Sequence, residues 1–218
     1  MPEVDSTLSQ PRLVLASGSP RRRQLLAEAG FDFRVVTARD GVEDPGLCSG
    51  CGPAQMVVDL AVMKLDDVID QLRVEPERNG AATLVLAADT VAECDGQILG
   101  KPRNDDHARE MMQRLSGREH RVYTGFVLTR LDGQTAKRLV AEPVVTTLRM
   151  DQLSADWIDD YADSGAWEGK AGGFGYQDGL GFVHVTEGSE SNVVGLPMER
   201  VVAELAAAGC VPDHVGEA

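Results

Sequence analysis

Apolar positions in the first half of the chain alternate between short continuous runs and stretches with helical spacing. Leu13–Ala16 and Thr83–Ala88 are apolar runs bounded by polar or turn-forming residues, which predicts buried strands. A shorter strand is predicted at Phe31–Val36. Apolar residues recur every three or four positions from Pro20 to Ala29 and from Ala54 to Leu72, which predicts two helices.

The second half is dominated by paired strands. Asp95-Gly96 and Asp132-Gly133 are hairpin signals. They predict a hairpin within Val91–Leu99 and an antiparallel pair of long strands. Together with the first half, this pattern predicts an α/β fold in which a mixed, partly antiparallel sheet is flanked by helices. The remaining predicted elements are long strands at Arg121–Arg130 and Arg138–Met150, a strand at Phe182–Val185, and helices from Asn104 to Leu115, from Ser154 to Tyr161 and from Pro197 to Ala208.

Length and composition favour one globular domain. The chain has 218 residues, of which 43% are hydrophobic, and no apolar run is long enough to span a bilayer. We expect residues 1–10 to form a disordered tail, residues 11–210 to form a single domain, and the protein to be cytoplasmic. The formal net charge of -14 disfavours nucleic acids and anionic membranes as partners. A small anionic ligand would need a local cluster of cations.

Such a cluster stands where the first strand is followed by the first helix. The sequence LVLASGSPRRRQ places Ser17 and Ser19 before the helix, with Arg21 and Arg22 in its first turn. A helix N-terminus favours anions, and a cation there costs about a few tenths to 1 kcal/mol. The arrangement therefore predicts a phosphate site, with Ser19 as the helix cap. The alternative is that the arginines only solvate an exposed helix start.

Carboxylates and lysines further along could complete a polyphosphate site. Asp89 follows the run TLVLAA and is expected at the carboxyl end of a strand, where α/β sheets bind ligands. Glu43 is a possible second carboxylate, and carboxylates with phosphate oxygens suit a divalent metal cation. Lys64, Lys101 and Lys170 could surround a triphosphate, although each alone is typical of a solvated surface.

Six motifs resemble the Maf family of nucleoside triphosphate pyrophosphatases. The resemblance covers the chain from about Leu13 to about Leu205, and the order of the motifs makes it specific. The motifs are LASGSPRR (15–22), AADT (87–90), LGKP (99–102), RLSGREHRVYTGF (114–126), GKAGGFGYQD (169–178) and NVVGLP (192–197).

The resemblance implies a two-lobed fold similar to that of the inosine triphosphate pyrophosphatases, with the active site in a central cleft. It implies hydrolysis of a nucleoside triphosphate to the monophosphate and pyrophosphate, with a divalent cation such as Mg²⁺ or Mn²⁺, and a possible homodimer. By this resemblance, Asp89 is the proton acceptor near the metal, and Glu43 is a site residue and metal ligand. Lys64 and Lys101 are further site residues. The residues that would bind the phosphates are Ser17, Ser19, Arg21 and Arg22, and those that would determine base specificity are Arg21, Thr90 and Gln177.

Gln177 favours dTTP and UTP as substrates within this resemblance. An uncharged amide can donate to a pyrimidine carbonyl and accept from its imide N–H. The branch that acts on 7-methyl-GTP usually carries an acidic residue there. The chain departs from the usual patterns SGEWxGKAG and IQG, since Ala166 replaces an acid and Tyr176 and Asp178 flank Gln177.

Three alternatives stay open at this point. One is a 7-methyl-GTP-type pyrophosphatase. Another is a nucleotide-sensing regulator of septum formation, because members of the family have been linked to division arrest. The third is a thiol-redox module at the CxxC formed by Cys48 and Cys51. We expect His120, in the SGREH motif, to have a structural role or to support the site from behind.

Overall fold

A mixed, open sheet of seven strands organises the fold in the computed structural model, which describes residues 10–42, 51–74 and 82–213. The strand order is β2-β1-β3-β5-β6-β7, and β4 pairs with β3. The β1 strand is parallel to β2 and β3, and all other pairs are antiparallel. The strands are β1 (Arg12–Ala16), β2 (Arg34–Val35), β3 (Thr83–Cys94), β4 (Gln97–Leu99), β5 (Glu119–Asp132), β6 (Thr135–Met150) and β7 (Val183–Glu187).

Helices cover the sheet, which confirms the predicted mixed α/β architecture. They are α1 (Pro20–Glu28), α2 (Gly52–Arg73), α3 (Asp105–Leu115), α4 (Ala155–Asp163), α5 (Glu190–Val194) and α6 (Met198–Ala207). The sequence did not predict α5. The predicted strand at Phe31–Val36 is reduced to the two residues of β2. Within the described residues, no helix combines the length and apolar character that a bilayer-spanning segment requires.

The strand β3 is longer than predicted, and the expectation that Asp89 ends a strand is wrong. Pairing with β5 continues without interruption from Thr83 to Glu93, so the backbone stays extended past Asp89. The neighbouring strand β1 does end there, since its last residue, Ala16, pairs with Ala87. Asp89 therefore lies just beyond the carboxyl end of β1, where α1 begins.

Alternation along β3 directs Asp89 and Thr90 to opposite faces of the sheet. Val85 and Ala87 belong to a core cluster that includes residues of α2. Leu84, Leu86 and Ala88 belong to the cluster on the other face, with Leu26 of α1 and residues of α6. The side chain of Asp89 therefore lies on the side of the sheet that α2 covers, and that of Thr90 lies on the side that α1 covers.

A third core cluster supports the glycine-rich segment after α4. Buried side chains of α3 and α4, among them Met112 and Ile158, pack with Trp167 and Phe174 of that segment. Tyr161 Oη donates a hydrogen bond of 3.0 Å to the carbonyl of Gly173. The segment around Phe174 is thereby fixed to the α3–α4 layer.

Candidate active site

One cleft of about 520 Å³ collects most of the residues that the sequence singled out. Four cations, from α1, α2 and the segment after β4, meet there with the carboxylate of Asp89 from β3. The predicted residues that line it are Ser17, Ser19, Arg21, Arg22, Lys64, Asp89, Thr90, Lys101 and Gln177.

Lys64 and Asp89 form an ion pair within the cleft. The lysine comes from α2, whose inner face packs on the sheet, and the aspartate from β3. Their side chains are 9% and 14% exposed, so water screens the pair only weakly. The ion pair fixes the direction in which the carboxylate of Asp89 faces.

Arg22 is buried, which contradicts the alternative of a solvated helix start for this residue. Its Nε donates to the carbonyl of Gly195 at 2.6 Å, its Nη1 to Ser17 Oγ at 3.3 Å and its Nη2 to Thr90 Oγ1 at 2.9 Å. The guanidinium therefore reaches the cleft in a fixed orientation.

Arg21 also lines the cleft but is held more loosely than Arg22. Its Nη2 donates to the carbonyl of Gly169 at 3.1 Å, in an exposed position. This contact joins α1 to the start of the glycine-rich segment.

The backbone before α1 differs from expectation in one detail. Ser19 occupies the cap position, but its side chain makes no capping hydrogen bond within the described part of the chain. Instead, the backbone N–H of Ser19 donates to Ser17 Oγ at 3.2 Å.

Two predicted residues are not placed in the cleft. The ammonium of Lys170 pairs with the carboxylate of Asp178, and Lys170 does not line the cavity. This ion pair ties together the two ends of the turn that carries Gln177. Glu43 lies outside the described residues. So does Cys48 of the CxxC, whereas Cys51 is exposed at the start of α2.

The sequence had not pointed to Glu168, a carboxylate that lines the cleft, or to the residues of the apolar walls. The wall residues are Val122, Phe174, Tyr176, Val193 and Val194. Most of them stand inside the GKAGGFGYQD and NVVGLP motifs, so the motifs were the available signal. Tyr176 Oη donates to Glu190 Oε1 at 2.8 Å, and burial together with this hydrogen bond raises the pKa of Tyr176.

His120 lies behind the cleft. It is 2% exposed, and its ring makes an edge-to-face contact with Phe174, with the centroids 5.6 Å apart. Burial lowers the pKa of His120 to about 4. A neutral, buried imidazole in this place supports the wall of the cleft.

A sequence profile described as "Maf-like protein" matches residues 12–208. The chain belongs to the Maf-like protein family.

Several relatives in this family share one name, "dTTP/UTP pyrophosphatase". The protein of Rhodopirellula baltica is 50% identical over 195 residues, which cover 88% of this chain and 80% of the relative. That of Brucella abortus (strain 2308) is 42% identical over 201 residues, covering 92% and 93%. That of Rhodopseudomonas palustris (strain BisB5) is 39% identical over 203 residues, covering 93% and 94%.

A solved structure, a nucleoside-triphosphatase described as a dITP/XTP pyrophosphatase from Mycobacterium abscessus, aligns over 91% of this chain and 94% of its own. The identity is 12% and the TM-score is 0.41, too low to support a conclusion about fold or activity.

The donor set of this Maf-like cleft fits a hard divalent cation. Mg²⁺ is usually bound through one or two carboxylates together with substrate phosphates and water. Asp89 and Glu168 supply carboxylate oxygens to the cleft. Among the described residues, no group of three or more His, Cys, Asp or Glu side chains could form an all-protein metal site.

Proposed function

We propose that the protein hydrolyses dTTP and UTP to the monophosphate and pyrophosphate. The observation that carries the proposal is the convergence of Arg21, Arg22, Lys64 and Lys101 around Asp89 in one cleft. In a chain with a formal net charge of -14, such a cluster calls for an anionic ligand. The names of the relatives support a triphosphate of a pyrimidine nucleoside.

The four cations would offset the charge of the triphosphate and hold the α-phosphorus so that the attacking water and the leaving pyrophosphate oxygen are in line across it. Phosphoryl transfer requires little covalent chemistry from the protein, so positioning and electrostatic stabilisation supply most of the acceleration. The fixed guanidinium of Arg22 suits this role because it does not have to reorganise when the substrate binds.

Asp89 is the proposed proton acceptor. A water molecule beside its carboxylate would attack the α-phosphorus, Asp89 would take the proton, and pyrophosphate would leave. The ion pair with Lys64 holds the carboxylate in place for this step. Lys64 would then contact both the carboxylate of Asp89 and the triphosphate of the substrate.

Divalent-metal dependence is part of the proposal. Asp89 would hold the cation, with Glu168 or Glu43 as the second carboxylate. A cation bound there would withdraw negative charge from the phosphate oxygens.

The base would bind beside the turn that contains Gln177. This turn is fixed by the Lys170–Asp178 ion pair and by the hydrogen bond from Tyr176 to Glu190. The amide of Gln177 is exposed at the cleft and can both donate and accept, as the edge of uracil or thymine requires.

A pyrophosphate-release assay tests the proposal. The purified chain is supplied with Mg²⁺ and, in turn, with dTTP, UTP, CTP, dATP, GTP and 7-methyl-GTP. We expect turnover of dTTP and UTP above the others. Preference for 7-methyl-GTP would assign the protein to the alternative branch. Binding without turnover would favour a nucleotide sensor. The cytoplasmic location and the homodimer stay predictions.

A further inference from the structure

A buried chain of hydrogen bonds connects Arg22 to β5 and α5. Thr90 Oγ1 accepts from Arg22 Nη2 at 2.9 Å and lies 2.9 Å from Thr124 Oγ1. Thr124 Oγ1 donates to the backbone carbonyl of Asn192 at 3.0 Å. A hydroxyl has one proton to donate. Since Thr124 gives its proton to Asn192, Thr90 must donate to Thr124 while it accepts from Arg22.

This series of hydrogen bonds returns to Arg22 through the end of α5. The backbone carbonyl of Asn192 also accepts from the N–H of Gly195 at 3.1 Å, and the carbonyl of Gly195 accepts from Arg22 Nε. Gly195 has a φ of +120°, and an added Cβ would lie 3.4 Å from both Arg22 Nε and Thr90 Oγ1. The result is a ring of hydrogen bonds with the guanidinium as one member.

The side chain of Asn192 anchors this ring to the sheet. Its Nδ2 donates to Thr146 Oγ1 at 3.0 Å and to the carbonyl of Val122 at 3.3 Å. Asn192 and Thr124 are both 0% exposed. Neither residue lines the cleft, so any effect they have on a bound nucleotide must pass through other residues.

We propose that Thr124 and Asn192 are positioning residues that set the orientation of the Arg22 guanidinium. They act through the Thr90 hydroxyl on one side and the Gly195 carbonyl on the other. The inference rests on the proposed function in one respect, namely that Arg22 binds phosphate oxygens. Loss of either residue would let the guanidinium rotate away from its place in the cleft.

Thr124→Val tests the proposal because it removes the hydroxyl and preserves the branched shape. We expect kcat/KM for dTTP to fall about tenfold, the size expected when one buried hydrogen bond is lost. Thr124→Ser keeps the hydroxyl and should stay within about twofold of wild type. Thr129→Val is the matched control on the same strand: Thr129 is 2% exposed, and its hydroxyl makes no hydrogen bond within the described residues. Equal losses in Thr124→Val and Thr129→Val would overturn the proposal.

A double variant separates positioning from a general structural effect. The oriented guanidinium is absent in Arg22→Lys. Adding Thr124→Val to that variant should therefore lower kcat/KM by less than about twofold. A further loss of about tenfold in that background would show that Thr124 acts independently of Arg22.

Hydrogen exchange of the Arg22 Nε–H, followed by ¹⁵N NMR, gives a measurement that does not depend on activity. The signal is identified by its absence in Arg22→Lys. We expect protection in the wild type and exchange at least about tenfold faster in Thr124→Val. Unchanged exchange would overturn the proposal, even if the wild type released no pyrophosphate and the proposed function failed. If Thr124→Val does not fold, Asn192→Leu replaces it, because leucine is close to asparagine in shape and makes neither of the two donated bonds.

Discussion

Gly125 of β5 stands opposite Asp89 of β3, and the backbone of α2 lies against it. An added Cβ at Gly125 would lie 2.4 Å from the carbonyl carbon of Val57. The absence of a side chain at Gly125 therefore lets α2 approach the sheet next to the proposed proton acceptor. Lys64 follows Val57 by about two helical turns and makes its ion pair with Asp89 from that position.

Gly125→Ala should therefore damage stability and activity together. Because α2 must move, we expect the free energy of unfolding to fall by about 1–3 kcal/mol. We also expect kcat to fall as Lys64 shifts relative to Asp89. Urea unfolding and pyrophosphate release measure the two effects. Gly100→Ala is the control, since nothing lies within 4 Å of a Cβ added there. Equal stability of the two variants would contradict this explanation.

Arg21 and Arg22 should respond differently to substitution by lysine. Arg22→Lys loses at least two hydrogen bonds from a buried position, so we expect a loss of about 2 kcal/mol in stability. Arg21→Lys removes an exposed contact and should leave the free energy of unfolding almost unchanged, while it raises KM for dTTP. Urea unfolding with steady-state kinetics distinguishes the two. The prediction fails if both variants are equally stable.

The buried imidazole of His120 should make stability depend on pH. Its pKa is lowered from 6.5 to about 4 by burial, so the unfolded chain takes up a proton at a higher pH than the folded chain. The free energy of unfolding should therefore fall as pH drops from 6.5 towards 4, by up to roughly 3 kcal/mol. His120→Phe should lose this contribution, and carboxylate effects cancel in the comparison. Thr129→Val, at another buried position of β5, changes no ionisable group and should keep the wild-type pH dependence. The same slope in His120→Phe would contradict the assignment.

Gln177→Glu tests the proposed contact with the base. A carboxylate cannot donate to a pyrimidine carbonyl, so kcat/KM for dTTP should fall by about tenfold or more. The loss for 7-methyl-GTP should be smaller, because its base is cationic. Gln97→Glu adds the same charge at an exposed position outside the cleft and serves as the control. A parallel loss for all nucleotides would place Gln177 away from the base.

Local signals in the sequence predicted much of the fold because they act over a few residues. Asn104 and Ser154 cap their helices, with side-chain oxygens accepting from His107 N and Trp157 N. Asp95-Gly96 forms the turn of a hairpin, and Asp95 has a φ of 51°. The error at β3 has a physical reason: polar residues interrupted an apolar run, but pairing with β5 kept the strand extended.

The site was less predictable because its contacts join distant parts of the chain. Nothing near Arg22 indicates that its main acceptor is a carbonyl 173 residues away. Likewise, Lys170 is a residue type that binds phosphate and stands in a glycine-rich segment, yet its ammonium pairs with Asp178 of the same segment. Thr124 and Asn192 gave no signal as functional residues, since a buried hydroxyl and a buried amide in a motif are equally typical of a core.

Hydrolysis of dTTP in H₂¹⁸O, followed by ³¹P NMR of the products, tests the central claim most directly. With wild type, we expect dTMP that carries the ¹⁸O label and unlabelled pyrophosphate, because water attacks the α-phosphorus. Asp89→Asn should lower the rate by orders of magnitude while the protein stays folded. Label in pyrophosphate or orthophosphate, or near-normal turnover by Asp89→Asn, would contradict the account.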